Sequence, residues 1–498
     1  MAEEILINIT PQETRVATVE NGVLNEVCIE RSAKTTLVGN IYMGKVVRVL
    51  PGMDAAFVDV GLQRAAFLHA SDVASGVSVD EQGEKTFMPI RELLREGQSL
   101  LVQVFKNPLG TKGARLTTNL TIPARYLVYM PGDSSIGVSA KIEDEAERDR
   151  LRVLLEKLQT KEGDENGYIV RTAAEGVGEE VFASEVVFLK KVWASIENDI
   201  ATAKAGELVY ADLPLVKRTL RDLVGVSVER IRIDSRETFL QAEEFANEYL
   251  PEIIDSIEHY PGERPIFDLY GVEDEIQKAL ERKVQLKSGG HLVFDQTESM
   301  TTIDVNTGAF VGHRNLEETI FKTNLEAAQA ICRQLRLRNL GGIVIIDFID
   351  MMVEDHKRQV MRAMEKALDR DKAKTQVCEV SSLGLVEMTR KRTRESLEQT
   401  LCSECPTCSG RGLLRTAETV CYEISREIIR QVRQFDVKSL TVVAAPDVVE
   451  LFLDEQSDYF AELESFVEKP IRLQPESMYN RDQYDVCLLY TSPSPRDS

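Results

Sequence analysis

The sequence has no apolar run that approaches the roughly 20 residues of a membrane span. Its first ten residues, MAEEILINIT, are acidic and alternate as a strand does, which is not the pattern of a secretory signal peptide. These two absences predict a cytoplasmic protein. With 498 residues the chain is too long for a single hydrophobic core, and several domains are expected.

Basic side chains are in deficit. The chain carries 60 Lys and Arg against 82 Asp and Glu, which gives a formal net charge of −22. This balance argues against a general nucleic-acid binder, because contacts to phosphate need Lys and Arg. Two local clusters depart from it: Arg333, Arg336 and Arg338, and then Arg390, Lys391, Arg392 and Arg394. Such clusters are either solvated faces or contacts for an acidic polymer. Their closeness in sequence to the aspartates described below favours a role with substrate.

The cysteine spacing is also not that of a secreted protein held together by disulfide bonds. Four cysteines stand singly in apolar or helical contexts, which indicates free thiols: Cys28, Cys332, Cys378 and Cys421. A separate cluster lies in the segment CSECPTCSGRG, which begins at Cys402 and contains Cys405 and Cys408.

The C-x-x-C pair of this cluster suits one Zn²⁺ ion, but a structural zinc site needs four ligands. Outside this cluster, neither a second C-x-x-C nor a pair of histidines supplies the other two, since the five histidines are scattered. We therefore predict that two chains each donate Cys405 and Cys408 to a shared tetrahedral site, which would join them into a homodimer or a higher homo-oligomer. Cys402 is interpreted as an inert neighbour rather than a spare ligand. The alternative, a redox dithiol, lacks the usual βαβ context.

The sequence does contain two aspartates in strand-like apolar runs. Asp304 lies in MTTIDVNTG and Asp347 lies in GGIVIIDFIDM. Burying a carboxylate costs several kcal/mol unless a cation compensates it, and neighbouring strands lie roughly 5 Å apart. If the two strands are neighbours, Asp304 and Asp347 can hold one Mg²⁺ between them, with water and phosphate oxygens as further ligands. The alternative is that each Asp caps a strand where the chain leaves the sheet.

The segment between the two runs predicts a long amphipathic helix over residues 315–340. Asn315 is the predicted N-cap, acidic residues favour the first turn, and Gly341 and Gly342 are predicted to end the helix. A helix between the two strands is what a crossover connection in a layered α/β sheet requires. Asn306 and Asp350 are further candidates near the cation, with a structural role as the alternative for Asp350.

The strings SGGHLVFDQTESMTTIDVNTGAF and NLEETIFKTNLEAAQAICRQLRLRNLGGIVIIDFIDM, within residues 288–351, resemble the catalytic core of the ribonuclease E/G family of bacterial endoribonucleases. The resemblance runs from the first residues to about Val486. Within the family the chain resembles the branch that has no long disordered C-terminal scaffold.

The resemblance implies an α/β multidomain architecture, to which the residues of each segment contribute. Short strands with glycine turns after residue 39 independently suggest a small OB-type barrel. The implied parts are an RNase H-like subdomain in two pieces (1–38 and 215–280), an inserted S1-type OB RNA-binding domain (39–128), a 5′-phosphate sensor (129–214), a DNase I-like catalytic subdomain (281–400), a zinc-link (401–415) and a small dimerisation domain (416–486).

The family's RNA contacts fall on named residues of this chain. Phe57, Phe67 and Lys112 occupy the barrel positions that the family uses for RNA, and OB folds bind single strands by stacking bases on exposed aromatic rings. The alternative is that both Phe side chains belong to the barrel core. An Arg fork and a Thr hydroxyl suit a terminal phosphate. Arg171 and Thr172, with Val128 near by, match the family's pocket for a 5′-monophosphate.

The resemblance implies a Mg²⁺-dependent endoribonuclease that cleaves A/U-rich single-stranded RNA, with Asp304 and Asp347 as catalytic metal ligands. The products would carry a 5′-phosphate and a 3′-hydroxyl. Family members mature the 5′ end of small-subunit rRNA and contribute to mRNA decay. The rival from another class is a non-catalytic RNA-binding protein that uses the barrel alone. A second rival is a truncated member of the longer branch, which a Pro/Arg-rich continuation of the gene would reveal.

The last residues, 487–498, read CLLYTSPSPRDS and resemble the translation of a sequencing adapter. We therefore expect the native sequence to be interrupted near Val486. The alternative is a genuine short disordered terminus, which the Ser and Pro content also permits.

Overall fold

The computed structural model describes residues 3–33, 35–74, 77–79, 85–108, 112–142, 144–162, 165–222, 228–308, 316–381, 383–392 and 394–490. Two compact units divide the chain, residues 1–400 and residues 401–498. No helix in the described ranges is both long enough and apolar enough to cross a bilayer.

The chain opens with an antiparallel meander. Apolar residues alternate along each strand, so Ile5, Ile7 and Val16 point into one core. The strands are β1 (Glu3–Ile9), β2 (Glu13–Glu20) and β3 (Val23–Arg31).

A closed five-stranded barrel follows, which confirms the predicted OB-type barrel. The strand order is β4-β5-β6-β10-β9, and β9 pairs back with β4 to close it. Val46, Val58 and Leu68 fill its interior. The elements are β4 (Ile41–Leu50), β5 (Ala55–Asp59), β6 (Ala66–His69), β7 (Val77–Val79), β8 (Lys85–Phe87), α1 (Ile90–Leu93), β9 (Ser99–Lys106) and β10 (Arg115–Thr117).

The next segment forms a four-stranded sheet, ordered β11-β12-β14-β13, with two helices packed on one face. This sheet begins at Ile122, so its strands lie on both sides of the expected boundary between residues 128 and 129. Strand β15 instead joins β4 of the barrel. The elements are β11 (Ile122–Pro123), β12 (Leu127–Met130), β13 (Ile136–Val138), α2 (Glu145–Glu162), β14 (Gly167–Val170), α3 (Glu179–Thr202) and β15 (Leu208–Tyr210).

The chain then returns to the first sheet. β16 pairs in parallel with β1, which gives the strand order β17-β16-β1-β2-β3. Residues 1–38 and 215–280 therefore contribute strands to one sheet, and the barrel and the four-stranded sheet are inserted between them. The elements are α4 (Leu215–Asp222), β16 (Val228–Ile233), α5 (Arg236–Tyr249), β17 (Ile257–His259), α6 (Ile266–Leu269) and α7 (Val272–Leu280).

The last part of this unit is a six-stranded mixed sheet with strand order β18-β19-β20-β21-β23-β22. Helices α8 and α9 pack on one face through residues such as Ile331 and Met364. The elements are β18 (Lys283–Gln285), β19 (His291–Gln296), β20 (Met300–Asn306), α8 (Leu316–Leu337), β21 (Gly342–Asp347), α9 (Glu354–Leu368), β22 (Thr375–Val377), β23 (Leu385–Arg390) and α10 (Leu397–Leu401).

Helix α8 ends earlier than the sequence predicts. Asn339 adopts the left-handed conformation (φ 48°), and the amide of Leu340 bonds back to the carbonyl of Leu335 at 3.0 Å, which is how a helix terminates at a left-handed residue. Gly341 has a packing role instead, because a Cβ there would lie 2.6 Å from Cγ of Arg392. Asn315, the predicted N-cap, lies outside the described residues.

The second unit contains a three-stranded sheet. β24 pairs in parallel with β25 and antiparallel with β26. A βαβ unit is therefore formed by β24, α12, α13 and β25. The lack of such a unit was the sequence-based reason against a redox dithiol. Strand β26 continues through Leu489, three residues past Val486, and residues 491–498 lie outside the described residues. The elements are α11 (Ala417–Gln434), β24 (Ser439–Ala444), α12 (Pro446–Leu453), α13 (Ser457–Val467), β25 (Ile471–Pro475) and β26 (Tyr484–Leu489).

Candidate active site and RNA-binding surfaces

Asp304 and Asp347 stand side by side on neighbouring parallel strands. The register of β20 and β21 aligns these two residues directly. Ile303 and Ile346, one position earlier on each strand, point into the core beneath α8 and α9. Because side chains alternate along a strand, both carboxylates lie on the opposite, open face of the sheet.

Both aspartates are largely exposed, so the full burial cost assumed from the sequence does not apply. Their closeness still has an electrostatic consequence. Partial burial, and then the charges of Asp304 and Asp350, raise the pKa of Asp347. A cation between like charges relieves that repulsion. The strand-cap alternative fits Asp347, the last residue of β21, but not Asp304, since β20 continues to Asn306.

Asn306 orients one of the two carboxylates. Its Nδ2 donates to Oδ2 of Asp304 at 2.6 Å. In the described ranges no cluster of three or more His, Cys, Asp or Glu side chains is arranged to hold a metal ion. A cation at this pair would therefore have two carboxylates and complete its shell with water and substrate oxygens. Mg²⁺ is commonly held in that way, so the residues present fit the predicted ion.

Arginines of the first basic cluster make contacts within the folded protein. Arg333 pairs with Glu275 at 3.1 Å. Arg338 is only 5% exposed, and its guanidinium lies 4.5 Å from the centroid of the Phe294 ring. Burial lowers the pKa of Arg338 to about 10. The prediction of substrate contact is wrong for the buried Arg338, and it stays a prediction for the ion-paired Arg333, because charge spacing does not show which arginines the fold pairs internally.

The second cluster divides into buried and exposed members. Arg390 is buried and bidentate to Asp371, with Nε–Oδ2 at 2.7 Å and Nη2–Oδ1 at 3.1 Å. Arg394 pairs with a carboxylate of β3. The substrate prediction is wrong for the buried Arg390 and stays a prediction for Arg394. Lys391 and Arg392 are exposed and remain candidates for contact with RNA.

The two barrel phenylalanines form one aromatic surface. Phe57 and Phe67 are register partners on β5 and β6, and their ring centroids are 6.2 Å apart in an edge-on arrangement. Both are half-buried, and neither belongs to the barrel core, which Val58 and Leu68 occupy. Lys112 is exposed. The geometry therefore favours the surface interpretation of both rings over the core interpretation.

Further polar residues lie in line with these rings, and the sequence analysis missed them. Arg48 is the register partner of Phe57, and Arg115 is the register partner of Phe67. His69 follows Phe67 by two positions, with ring centroids 6.4 Å apart. Strand alternation from Phe67 points to His69, but the two arginines become visible only through the barrel pairing.

Arg171 lies at the end of β14 and is already ion-paired. Its Nη1 contacts Oδ1 of Asp222 at 2.8 Å and also donates to the carbonyl of Ala124. Burial alone would raise the pKa of Asp222, but Arg221 and Arg171 more than offset this, and the net pKa is lowered. A phosphate that binds Arg171 must therefore share or displace a carboxylate.

The other two predicted sensor residues lie close to Arg171. Thr172 follows it directly, in a short 3₁₀ turn, and is exposed. Val128 is half-buried on β12 and is the register partner of Ile169 on β14. Because Ile169 and Arg171 are two positions apart, Val128, Ile169 and Arg171 share the face of the sheet that the helices leave uncovered.

The turn around Cys405 and Cys408 is shaped for thiolates. The amides of Cys408 and Thr407 point at the Cys405 sulfur and lower its pKa. Sγ of Cys408 accepts the amide of Gly412 at 3.4 Å. Cys405 is exposed and Cys408 is half-buried. Amide donors stabilise metal-bound thiolates, so the turn fits two of the four zinc ligands. Both cysteines precede the βαβ unit instead of lying within it.

An open sheet face with two adjacent carboxylates, in the same unit as an OB-like barrel, is an arrangement that suits an enzyme acting on nucleic acid. Two family models match the chain, "Ribonuclease E/G family" over residues 121–393 and "RNase E/G, Thioredoxin-like domain" over residues 404–488.

The relatives agree with these matches. Ribonuclease G of Escherichia coli (strain K12) is 56% identical over 492 residues, which is 98% of this chain and 100% of that protein. Ribonuclease G of Haemophilus influenzae is 53% identical over the same shares. Ribonuclease E of Haemophilus influenzae is 35% identical over 98% of this chain but 52% of that protein. The chain belongs to the ribonuclease E/G family, and the predictions of an endoribonuclease and of resemblance to ribonuclease G are confirmed.

Proposed function

We propose that this chain is a Mg²⁺-dependent endoribonuclease that cleaves A/U-rich single-stranded RNA at Asp304 and Asp347 and favours strands with a 5′-monophosphate. The observation that carries the proposal is the direct pairing of these two aspartates in parallel register on an open sheet face. Family membership supports the reaction class.

In this proposal Asp304 and Asp347 hold the cation, and Asn306 keeps the Asp304 carboxylate in position through its 2.6 Å hydrogen bond. Bound there, the cation supplies charge neutralisation for the scissile phosphate and a more acidic water. The open face leaves room for an extended strand. The products carry a 5′-phosphate and a 3′-hydroxyl.

The barrel supplies affinity for the single strand. Phe57 and Phe67 offer ring faces for stacking, and the exposed Lys112 offers a contact to the phosphate backbone. Each stacked base contributes roughly 1–3 kcal/mol in such proteins. This supports a barrel that holds the strand while the sheet cleaves it, and it accounts for RNA binding by a chain with a net charge of −22.

Arg171, Thr172 and Val128 form the proposed 5′-monophosphate pocket. A terminal phosphate offers several acceptor oxygens to a guanidinium fork and a hydroxyl. Because Arg171 is paired with Asp222 at 2.8 Å, a phosphate must compete with a carboxylate. A doubly charged monoester competes better than a singly charged diester, which gives selectivity for the chain end.

Zn²⁺ shared between two chains through Cys405 and Cys408 is the proposed oligomerisation device. The amides directed at the Cys405 sulfur support metal-bound thiolates.

The cellular substrates proposed from the family resemblance are the precursor of small-subunit rRNA and mRNA.

The test is cleavage of one A/U-rich single-stranded oligoribonucleotide with either a 5′-monophosphate or a 5′-hydroxyl, in Mg²⁺ and in EDTA. We expect Mg²⁺-dependent cleavage, faster for the monophosphate form, with 5′-phosphate and 3′-hydroxyl product ends. Binding without cleavage in any divalent cation would support the rival RNA-binding protein. Equal rates for the two 5′ ends would retain the nuclease and remove the sensor.

A further inference from the structure

A recess of about 360 Å³ opens beyond the carboxyl end of β21, the strand that ends at Asp347. Three segments build it: the loop that follows Asp347, the first half of α9, and the connection between β22 and β23. In open α/β sheets, ligands bind in crevices outside the carboxyl ends of strands. Its volume is at the lower end of the roughly 300–1,000 Å³ of small-molecule sites.

Apolar side chains from all three segments line part of the recess. Phe348 and Met351 come from the loop after β21, and both are less than 10% exposed. Val360 and Met361 come from α9, and Val380 comes from the connection on the far side. Methionine is flexible and polarisable, and it packs well against aromatic faces. These side chains supply apolar contacts for a flat ring, although most of the exposed lining is polar.

Polar groups lie among these apolar walls. Lys357, Asp350 and Ser381 all line the recess. Lys357 is bonded to Glu354 at 2.7 Å, which leaves two of its three ammonium hydrogens for other partners. Ser381 Oγ accepts the amide of Leu385 at 3.2 Å, so its own hydrogen can turn towards a ligand. These groups supply both donors and acceptors.

One wall of the recess contains a glycine with a left-handed backbone conformation. Gly384 has φ +82°, and a Cβ at that position would lie 3.4 Å from Oδ1 of Asp350. Leu383, its neighbour, is 80% exposed and also lines the recess. An exposed leucine beside an apolar recess adds contact area for whatever enters it.

We propose that this recess is a nucleobase subsite, which takes one unstacked base of the RNA strand whose neighbouring phosphodiester lies at Asp304 and Asp347. A base has an apolar face and a polar edge, which match a recess that has both apolar side chains and hydrogen-bonding groups, and proteins that read single-stranded RNA commonly hold splayed bases in this way. Asp350 is three residues from Asp347 and joins the recess to the carboxylate pair. This inference rests on the proposed function.

The test is an abasic scan of the substrate. Single abasic riboses are placed in turn at the three nucleotides on each side of the cleaved bond, and both cleavage rate and equilibrium binding in EDTA are measured. For the wild type we expect one position where base removal slows cleavage about tenfold, the scale of a single base contact.

Two variants connect that position to the recess. Ser381→Phe fills the recess, and Met361→Ala removes one wall. Met352→Ala is the matched control, because Met352 is 87% exposed on the adjoining loop and does not line the recess. Ser381→Phe is expected to slow the intact strand about tenfold and to abolish the abasic effect. Met361→Ala should weaken the effect, and the control should retain it.

A wild type that cleaves every abasic strand equally well overturns the subsite and leaves the nuclease intact. The subsite is also overturned if Ser381→Phe and Met361→Ala both keep the full difference in rate between intact and abasic strands. If the wild type cleaves no strand, the proposed function fails. The binding measurements in EDTA then decide whether the recess holds a base. One sensitive position, lost in Ser381→Phe or reduced in Met361→Ala, supports it.

Discussion

The guanidinium of Arg171 lies 2.8 Å from Asp222, which also contacts Arg221 at 2.9 Å. Arg171, which is proposed to bind a 5′-phosphate, is thus already paired with a carboxylate. An ion pair of this kind orients the Arg side chain in advance and makes phosphate binding a replacement of one anion by another.

Arg171→Ala is expected to remove the preference for 5′-monophosphorylated RNA and to leave cleavage of 5′-hydroxyl RNA unchanged. Hydrogen bonds to charged groups contribute about 1.5–3 kcal/mol, so the preference should fall by roughly 10- to 100-fold. The ratio of kcat/KM for the two substrates measures it. Arg152→Ala, on the exposed side of α2, is the control. A preference that survives in Arg171→Ala would contradict the sensor.

Phe67→Leu is expected to weaken binding of single-stranded RNA by about 5- to 150-fold, because stacking on a ring contributes roughly 1–3 kcal/mol per base. Fluorescence anisotropy at fixed salt measures the change. Phe435→Leu, an exposed phenylalanine in the second unit, is the control and should bind as the wild type does. Equal affinities in all three proteins would mean that the rings of the barrel do not stack on RNA.

Cys405→Ser and Cys408→Ser are each expected to remove bound zinc and to dissociate the oligomer, since a tetrahedral site needs all four thiolates. Metal analysis together with light scattering measures both. The wild type should contain one zinc per two chains. Cys402→Ser should keep metal and oligomer. Zinc retained by Cys405→Ser, or an oligomer that survives removal of the metal, would exclude the shared site.

Glu185 predicts a pH-dependent loss of stability. Its carboxylate accepts the amides of Arg125 at 2.9 Å and Tyr126 at 3.1 Å. Burial raises its pKa from 4.5 to about 7, although these amides and Arg171 act in the opposite direction. The folded state therefore keeps a proton that the unfolded state releases between about pH 4.5 and 7, and stability falls as pH rises through this window.

Replacing Glu185 with Gln removes that titration. Relative to Glu185→Gln, the wild type should lose up to about 3 kcal/mol in its free energy of unfolding between pH 4.5 and pH 8, and less where solvent screens the charge. Urea denaturation at several pH values checks this. Glu180→Gln, on the exposed face of the same helix, should show no such difference. A pH-independent difference for Glu185→Gln would refute the assignment.

Local pattern predicted much of this molecule. Asp304 and Asp347 lie in strand-like apolar runs with a helical segment between them, and that pattern predicted an α/β sheet in which the two strands could be neighbours, as they are. The end of α8 was misplaced, because Asn339 takes the left-handed conformation that glycine more often adopts at a helix end, whereas the sequence prediction relied on Gly341 and Gly342.

Long-range pairing was not predictable. Nothing in the sequence around Arg390 shows that Asp371 neutralises it, so a structural arginine resembled a binding residue. Arg48 and Arg115 join the aromatic surface only through barrel register. The recess near Asp350 is assembled from three separate segments, and none of them carries a motif.

The most direct test of the account compares Asp304→Asn and Asp347→Asn with Asp295→Asn, in Mg²⁺, on a 5′-monophosphorylated single strand. Asp295 lies on the same sheet face and pairs with Arg282. Loss of an outer-shell partner typically costs about 10- to 100-fold in a metal site. Loss of Asp304 or Asp347 should therefore reduce cleavage by more than that and leave RNA binding intact, while Asp295→Asn cleaves normally. Near-normal cleavage by Asp347→Asn would contradict the account.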